Sequence, residues 1–411
     1  MYTKKLLTAY RVLLDEGKLF VLKVVLDRLI LRILRIKLIK NIKEQYILKK
    51  FKRWKIPKHD ITFIIKSNIS YFHHLPQRPI HIANALAKEG YKVIYITKTE
   101  GKGDIVFGIK RVNTNIFITD EIDVFLKYFT NAYSMILLDP TLSLSLYNKL
   151  KKQSTVIYDY LDDIDERVTL TDVTPFLKVH NKILKDKSNI VMASSKFLVS
   201  QALKQRSEVH LVENACDTGN FQSEKDISKV TKKMQDVINL QLPIIGFFGA
   251  LASWVDYQLI EDVAKKNTGY SFVLIGPNYD NTYLPLKKKK IPNIHFIGPV
   301  PYKKLKHYSA WFDVSIIPFL VEQITHAVSP IKLFEYMAIG KPIVATKTQE
   351  LERYNSVLLS KNADEFSDHL YNSIKGNLSK NYFLILQQEL SCNTWQSRAK
   401  KILSFIKNNK Y

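Results

Sequence analysis

The chain contains 411 residues, with 62 Lys and Arg against 38 Asp and Glu, which gives a formal net charge of +24. Hydrophobic residues make up 46% of the chain, so the composition excludes an intrinsically disordered protein. Two cysteines exclude a disulfide framework and favour a reducing compartment. With only 13 glycines, a glycine-rich phosphate loop is not expected.

The N-terminal segment concentrates the charge, because residues 1–60 carry 17 basic and 5 acidic side chains, half of the net total. Helical spacing of apolar residues predicts a basic amphipathic helical extension over residues 1–56. Two interpretations stay open: a helix on an anionic membrane surface, and a helix packed on protein with a solvated basic face. No secretory signal or membrane span is recognisable, so we expect a cytoplasmic protein, peripheral on the inner face of the cell membrane.

From residue 57 onward, short apolar runs alternate with helical patterns. Six strands are predicted before residue 215, at 61–65, 93–97, 135–138, 155–158, 189–193 and 209–212. A helix is predicted at 79–90, and the polar segment 222–242 is interpreted as a linker. This alternation indicates βαβ units with a parallel sheet.

A second alternating series follows the polar segment. Its predicted strands are 243–248, 272–275, 295–297, 314–317 and 342–346, and its predicted helices are 257–265, 330–338, 363–375 and 394–407. The predicted architecture is therefore α/β, with two Rossmann-like domains at 57–230 and 231–385. Residues 386–411 are expected to form a C-terminal helix that packs back toward the N-terminal domain.

The segment from Ser329 to Pro342 carries the most chemical information. Ser329 is a predicted N-cap and Pro330 suits the first helical turn. The free amides and positive dipole end of such a helix bind anions, and Lys332 adds a full cation there. Glu335 lies on the same face. The residues by themselves leave two interpretations open, a phosphate and ribose site or a capped amphipathic helix.

This segment resembles the donor-binding helix of family 4 glycosyltransferases with the GT-B fold, in the bacterial branch of teichuronic acid and cell-surface polysaccharide enzymes. Other stretches resemble the same family in the same order, at 77–93, 158–163, 246–256, 297–300 and 394–395. The resemblance implies a glycosyltransferase with a cleft between two Rossmann-like domains. It implies sugar transfer from a nucleotide diphosphate sugar to a lipid-linked or polymeric glycan, with retention of configuration and without a metal ion or other cofactor.

The resemblance also assigns roles to residues. Glu335 would bind the ribose, Ser329, Pro330 and Lys332 would face the diphosphate, and Val300 would contact the base through its backbone. Gly249 would let the first C-terminal loop approach the diphosphate. The catalytic candidates from the N-terminal half are Gln77, Arg78 and Asp163.

The sequence departs from the family at several positions. Ala327 stands where a second glutamate is common, and Ala250 and Val255 replace an arginine and a lysine. Lys332 or Arg78 would then compensate for the missing phosphate-binding cations. The Asn-Gly pair expected near the domain junction is Asn214-Ala215.

Other signals and functions carry less weight. Residues 163–165 form a D-x-D pattern, but four acids within seven residues make a chance match easy, and a structural or acceptor-orienting role for Asp163 is favoured over a metal site. His73, His74 and His81 are interpreted as surface or loop histidines, with an acid–base role for His81 left open. A nucleic-acid-binding protein is disfavoured because no recognition motif occurs. A catalytically inactive glycan- or nucleotide-binding homologue remains the alternative function, beside a basic membrane-surface protein.

Overall fold

The computed structural model describes residues 37–73, 75–96, 108–138, 142–164, 172–222 and 224–408. Most of the predicted N-terminal extension, residues 1–36, lies outside this part, as do His74 and Asp165. The described residues form two compact units. One contains helix α1 (Lys37–Trp54) with residues 108–109, and the other contains the remaining residues from Lys58 onward.

Helix α1 falls within the predicted extension. Ile47 and Phe51 are buried along it, whereas Lys49 and Lys52 are exposed. A helix forms here because the segment contains neither glycine nor proline and is rich in good helix formers. Among the described residues, no helix is long and apolar enough to cross a membrane.

The larger unit contains two sheets. The first has eight described strands in the order β3-β4-β2-β1-β5-β6-β7-β8, and the seven strands from β4 to β8 in this order pair in parallel. Its strands are β1 (Thr62–Lys66), β2 (Lys92–Ile96), β3 (Ile109–Arg111), β4 (Ile116–Thr119), β5 (Ala132–Leu137), β6 (Thr155–Tyr160), β7 (Ile190–Ala193) and β8 (His210–Leu211).

The second sheet has six described strands, all parallel, in the order β11-β10-β9-β12-β13-β14. Its strands are β9 (Ile244–Phe248), β10 (Ser271–Ile275), β11 (Ile294–Gly298), β12 (Val314–Ile317), β13 (Ile343–Thr346) and β14 (Val357–Ser360). Apolar runs without alternation form these strands because helices cover both faces of a parallel sheet.

Helices connect the strands. They are α2 (Arg78–Lys88), α3 (Asp123–Tyr128), α4 (Leu144–Gln153), α5 (Thr174–Lys185), α6 (Lys196–Leu203), α7 (Lys232–Ile238), α8 (Tyr257–Lys266), α9 (Leu284–Lys288), α10 (Tyr302–Ser309), α11 (Gln323–Ala327), α12 (Ile331–Ile339), α13 (Ala363–Lys375), α14 (Tyr382–Cys392) and α15 (Trp395–Asn408). Two parallel sheets with covering helices confirm the predicted α/β class.

The last helix, α15, packs on α2 in the N-terminal half. Its residues Trp395, Ile402 and Ile406 share a buried apolar cluster with Ile82 and Leu86 of α2. The chain therefore crosses between the halves twice, once before β9 and once before α15. The two crossing segments touch, because the Cys216 amide donates to the Asn393 carbonyl and the Trp395 amide donates to the Cys216 carbonyl, each at 3.2 Å.

The prediction of a linker at 222–242 is wrong. Residues in its second part form α7, and Met234 and Val237 are buried in the core of the C-terminal half. The segment is polar because the rest of the helix faces solvent. The strands β3, β4 and β14 were not predicted, since runs of three or four residues give little periodicity.

Candidate functional site

Helix α12 is attached to the carboxyl end of β9. The Phe248 amide at the end of that strand donates a hydrogen bond of 2.9 Å to the Tyr336 hydroxyl in the middle of the helix. The two residues are also in aromatic contact, with ring centroids 4.8 Å apart. This attachment brings the first turn of α12 to the carboxyl edge of the sheet, where ligands bind in open parallel sheets.

Lys332 lies in the first turn of α12, with its side chain over two aromatic rings. Its Nζ is 4.9 Å from the ring centroid of Phe319 and 5.7 Å from that of Phe247. Burial lowers the pKa of Lys332 to about 8, and the nearby Glu335 carboxylate opposes this change. The ammonium is therefore still mostly charged at neutral pH, and it reinforces the positive end of the helix.

Glu335 is buried one turn further along α12, with 5% of its surface exposed. Its Oε1 accepts a hydrogen bond of 2.8 Å from the hydroxyl of Tyr302, the first residue of α10. Burial raises the pKa of Glu335 to about 7, while the Tyr302 hydrogen bond and the Lys332 charge act in the opposite direction. A buried carboxylate with a pKa perturbed in this way is a candidate functional group.

Gly249, the residue after β9, comes directly against Lys332. A Cβ at Gly249 would lie 2.8 Å from the Lys332 Cε, and its φ of +150° disfavours any other residue. Gly276 follows β10 and lies against the backbone of Gly249, since a Cβ at Gly276 would lie 1.7 Å from the Gly249 carbonyl oxygen. The scarce glycines are thus placed where adjacent strand ends converge beside the first turn of α12.

The predicted N-cap role of Ser329 is wrong. Pro330 occupies the N-cap position in an extended conformation, and α12 begins at Ile331. Ser329 is buried and belongs to a polar link with the N-terminal half instead. Its carbonyl accepts a 2.6 Å hydrogen bond from the side-chain amide of Asn214, and its hydroxyl accepts from the Asn214 backbone amide at 3.3 Å.

Arg78 forms the other end of this link, and the expectation that it compensates for a missing phosphate-binding cation is wrong. It is 1% exposed and forms a bidentate ion pair with Asp159, at 2.8 and 3.0 Å. Its remaining donors bind the carbonyls of Val212 and Glu213 and the Asn214 Oδ1. Since all five N–H groups of the guanidinium have partners, Arg78 cannot replace a missing phosphate-binding cation.

Two further predicted residues, Gln77 and Val300, lie at the ends of secondary-structure elements. Gln77 is the N-cap of α2, half-buried, with an extended backbone and no capping hydrogen bond from its side chain. Val300 follows β11, with its side chain in the core of the C-terminal half, which leaves only its backbone available to a ligand.

Asp163 lies just after β6, and the structure adds an adjacent carboxylate. Its Oδ1 accepts from the Ile164 amide at 2.9 Å, and it is also hydrogen-bonded to the Tyr160 hydroxyl. The neighbouring Asp162 carboxylate is solvent-exposed. Asp162 is the more available carboxylate.

The positions where the family commonly has charged residues are apolar here. Ala327 is fully buried, and Val255 is 2% exposed and bridges Phe319. The Phe319 ring also lies under the ammonium of Lys332, which places a cation at the converging strand ends. Within the described ranges, no group of three or more His, Cys, Asp or Glu side chains is arranged to hold a metal ion.

Sequence reasoning missed Tyr302 and Asn214 as members of the site. Tyr302 follows Pro301 at the start of a helix after a predicted strand, and that position was the available signal. Asn214 was noticed only as half of an altered Asn-Gly pair. Their roles depend on contacts across 33 and 115 residues of chain, which local patterns do not contain.

Residues 242–375 match the family model of glycosyl transferases group 1. Among solved structures, sucrose-phosphate synthase from Thermosynechococcus elongatus is similar, with 12% identity, a TM-score of 0.60, and coverage of 84% of this chain and 98% of that one. HepE from Anabaena, solved with UDP, has 13% identity and a TM-score of 0.59, with coverage of 85% and 100%. These likenesses confirm the GT-B fold.

A curated relative supports the predicted branch. TuaH from Bacillus subtilis, named as a teichuronic acid biosynthesis glycosyltransferase, is 27% identical over 167 residues, which are 39% of this chain. The chain spans 41% of the length of this relative. The protein thus has the GT-B fold, matches the group 1 glycosyltransferase model over residues 242–375, and is similar to enzymes of cell-surface polysaccharide synthesis.

Proposed function

We propose that the protein is a glycosyltransferase that moves a sugar from a nucleoside diphosphate sugar to a lipid-linked or polymeric cell-surface glycan. The observation that carries this proposal is the pairing of Lys332 with the buried Glu335 on the first turns of α12, beside Gly249. A cation and free helix amides suit a diphosphate, and a buried carboxylate suits the two hydroxyls of a ribose.

The chemistry follows from charge. The bond between the sugar C1 and the diphosphate oxygen breaks, the acceptor oxygen bonds to C1, and the acceptor proton passes to the departing diphosphate. Negative charge that develops on the departing diphosphate is stabilised by the helix end and by Lys332, which are fixed before the reaction. These groups supply the positive charge that a metal ion would otherwise provide, so we place the reaction in the metal-independent class. Retention of configuration is proposed from the family resemblance.

The acceptor is proposed to bind at the carboxyl edge of the N-terminal sheet. Asp162 and Asp163 follow β6 at this edge, and Asp162 is exposed to solvent. An exposed carboxylate accepts hydrogen bonds from sugar hydroxyls.

Helix α1 is proposed to hold the protein on an anionic membrane at its cytoplasmic face. Lys49, Lys52 and Arg53 are exposed on this helix, and Lys50 lies over the rings of Tyr46 and Trp54, at 5.2 and 5.8 Å. Each cation near an anionic surface contributes about 1 kcal/mol. Replacing the three exposed cations with glutamate is expected to abolish sedimentation with phosphatidylserine vesicles, whereas phosphatidylcholine vesicles bind neither form.

Donor binding is tested by calorimetry with UDP, GDP and dTDP. UDP is the first choice because HepE was solved with UDP. Affinity should be greatest between pH 7 and 8, because Glu335 ionises near 7 and Lys332 loses its proton near 8. Lys332→Met and Glu335→Gln should each weaken binding at least about tenfold, whereas the exposed Lys375→Met should not.

Transfer assays with the matching nucleotide sugars then separate the enzyme from its alternative. Nucleotide binding without transfer or donor hydrolysis would identify a catalytically inactive homologue. Unchanged nucleotide affinity in both site variants would refute the proposed donor site.

A further inference from the structure

A cleft of about 540 Å³ lies at the junction where the chain crosses between the two halves. Its walls come from α2, from the first crossing segment and from the start of α15, and they include His81, Asn84, Asp217, Thr218, Thr394 and Trp395. We call it the junction cleft. Lys332, Glu335 and Gly249 are not among its lining residues, so it is separate from the proposed donor site.

Two stacked rings form part of its wall. The imidazole of His81 and the indole of Trp395 are nearly parallel, with centroids 4.9 Å apart and an angle of 2° between their planes. Their exposed fractions are 7% and 5%. Burial of His81 corrects the prediction that it is a surface or loop histidine. Among the described residues, neither the His81 Nε2 nor the Trp395 Nε1 has a hydrogen-bond partner.

A buried polar atom without a partner destabilises the fold, so a ligand that supplies the missing partner gains binding energy. The two nitrogens differ in the kind of hydrogen-bond partner that they require. The His81 imidazole hydrogen-bonds to the Pro76 carbonyl, and since Nε2 has no partner, Nδ1 is the donor. Burial lowers the pKa of His81 to about 4, so the ring is neutral and its Nε2 is an acceptor. The Trp395 Nε1–H is a donor.

Hydroxyl groups suit both nitrogens, because a hydroxyl can donate a hydrogen bond to the His81 Nε2 and can accept one from the Trp395 Nε1. A carboxylate or a fully ionised phosphate has no proton to give to His81, and an ammonium has no lone pair to accept from Trp395. The remaining wall favours the same chemistry, since Asn84, Thr218 and Thr394 present amide and hydroxyl groups and Asp217 presents a carboxylate. Such side chains beside aromatic rings suit a sugar.

We propose that the junction cleft is a second binding site, which takes a sugar unit of a neutral glycan whose hydroxyl groups pair with the His81 Nε2 and the Trp395 Nε1. The site stands independently of the donor site on α12. The His81 ring lies 6.3 Å from that of Tyr302, which is the hydrogen-bond partner of Glu335. A measurement of turnover would therefore respond to changes at either site. The test therefore measures binding.

The experiment titrates the full chain with maltotriose, cellotriose and chitotriose by calorimetry. At least one should bind saturably to the wild type, and Trp395→Phe and His81→Phe, which keep an aromatic ring, should weaken it about threefold to tenfold. Trp311→Phe is the matched control, because the Trp311 Nε1 also lacks a partner among the described residues but lies outside the cleft. Its affinity should not change.

A second measurement needs no variant. The indole N–H resonance of Trp395 should shift when the trisaccharide is added to wild-type protein, and the Trp311 resonance should not. The proposal is overturned if none of the three sugars binds saturably, if the variants bind as tightly as the wild type, or if the sugar-soaked crystal structure contains only water at the two nitrogens.

Failure of the junction cleft proposal can be distinguished from failure of the proposed donor site. Trisaccharide binding that depends on Trp395, without any nucleotide binding, would support the junction cleft and refute the donor site. Glu335→Gln should leave trisaccharide affinity unchanged.

Discussion

The most direct prediction concerns the cost of burying Glu335. The pKa of this carboxyl is about 7 in the folded protein, against 4.5 for an unperturbed group. Because each pKa unit is worth about 1.4 kcal/mol, the ionised carboxylate destabilises the fold by on the order of 3 kcal/mol. Glutamine in its place keeps the size and can still accept the Tyr302 hydrogen bond, but it never ionises. Glu335→Gln should therefore stabilise the ligand-free protein while it weakens donor binding.

The size of this gain in stability depends on pH. Between pH 4.5 and 7 the folded state retains the Glu335 proton that the unfolded state has released, so the stability of the wild type falls across this window and levels off above it. The gain in the free energy of unfolding of Glu335→Gln over the wild type should be absent below pH 4.5 and reach on the order of 3 kcal/mol above pH 7. Urea unfolding on both sides of the window measures this difference.

Glu261 provides a matched control of opposite sign. It is also buried, but ion pairs with Lys265 and Lys289 lower its pKa. Its contribution is present above the unfolded pKa of 4.5 and lost as pH falls through the folded pKa, so Glu261→Gln should be less stable than the wild type at neutral pH. If Glu335→Gln were no more stable above pH 7, or equally stabilised below 4.5, the assigned cost of burial would be wrong.

Two further substitutions test how the site is held. Asn214→Ala removes the amide that donates to the Ser329 carbonyl, and it should destabilise the protein by about 1–3 kcal/mol in urea unfolding and weaken UDP binding; normal UDP affinity would mean that this link does not position α12. Gly249→Ala places a Cβ 2.8 Å from the Lys332 Cε at a φ of +150°, so it should cost about 1–3 kcal/mol and reduce UDP affinity. The control Gly269→Ala has no atom within 4 Å of the added Cβ, and equal effects of the two changes would contradict this reasoning.

Local patterns predicted the second sheet well. The strand predicted at 314–317 matches β12, and the helix predicted at 330–338 differs from α12 by one residue at each end. Both succeed because long apolar runs bounded by proline and glycine specify elements locally. The α7 region was misjudged because a short helix with two buried residues has a mostly polar composition. The family resemblance supplied the GT-B topology, which local periodicity does not encode.

The charge and the alternation of strands and helices were determined by the sequence itself, and so was the helix that places Lys332 and Glu335 on one face. Tertiary structure decided what the charged groups do. Arg78 looks like a free cation in the sequence, but packing gives all five of its donors to residues 81 to 136 positions away. The exposed cations of α1 remain available to a partner, and Lys332 remains at the site. Burial and long-range pairing are properties of the packed chain. Only the fold therefore distinguishes a cation whose donors are all used, such as Arg78, from cations that can still bind a partner.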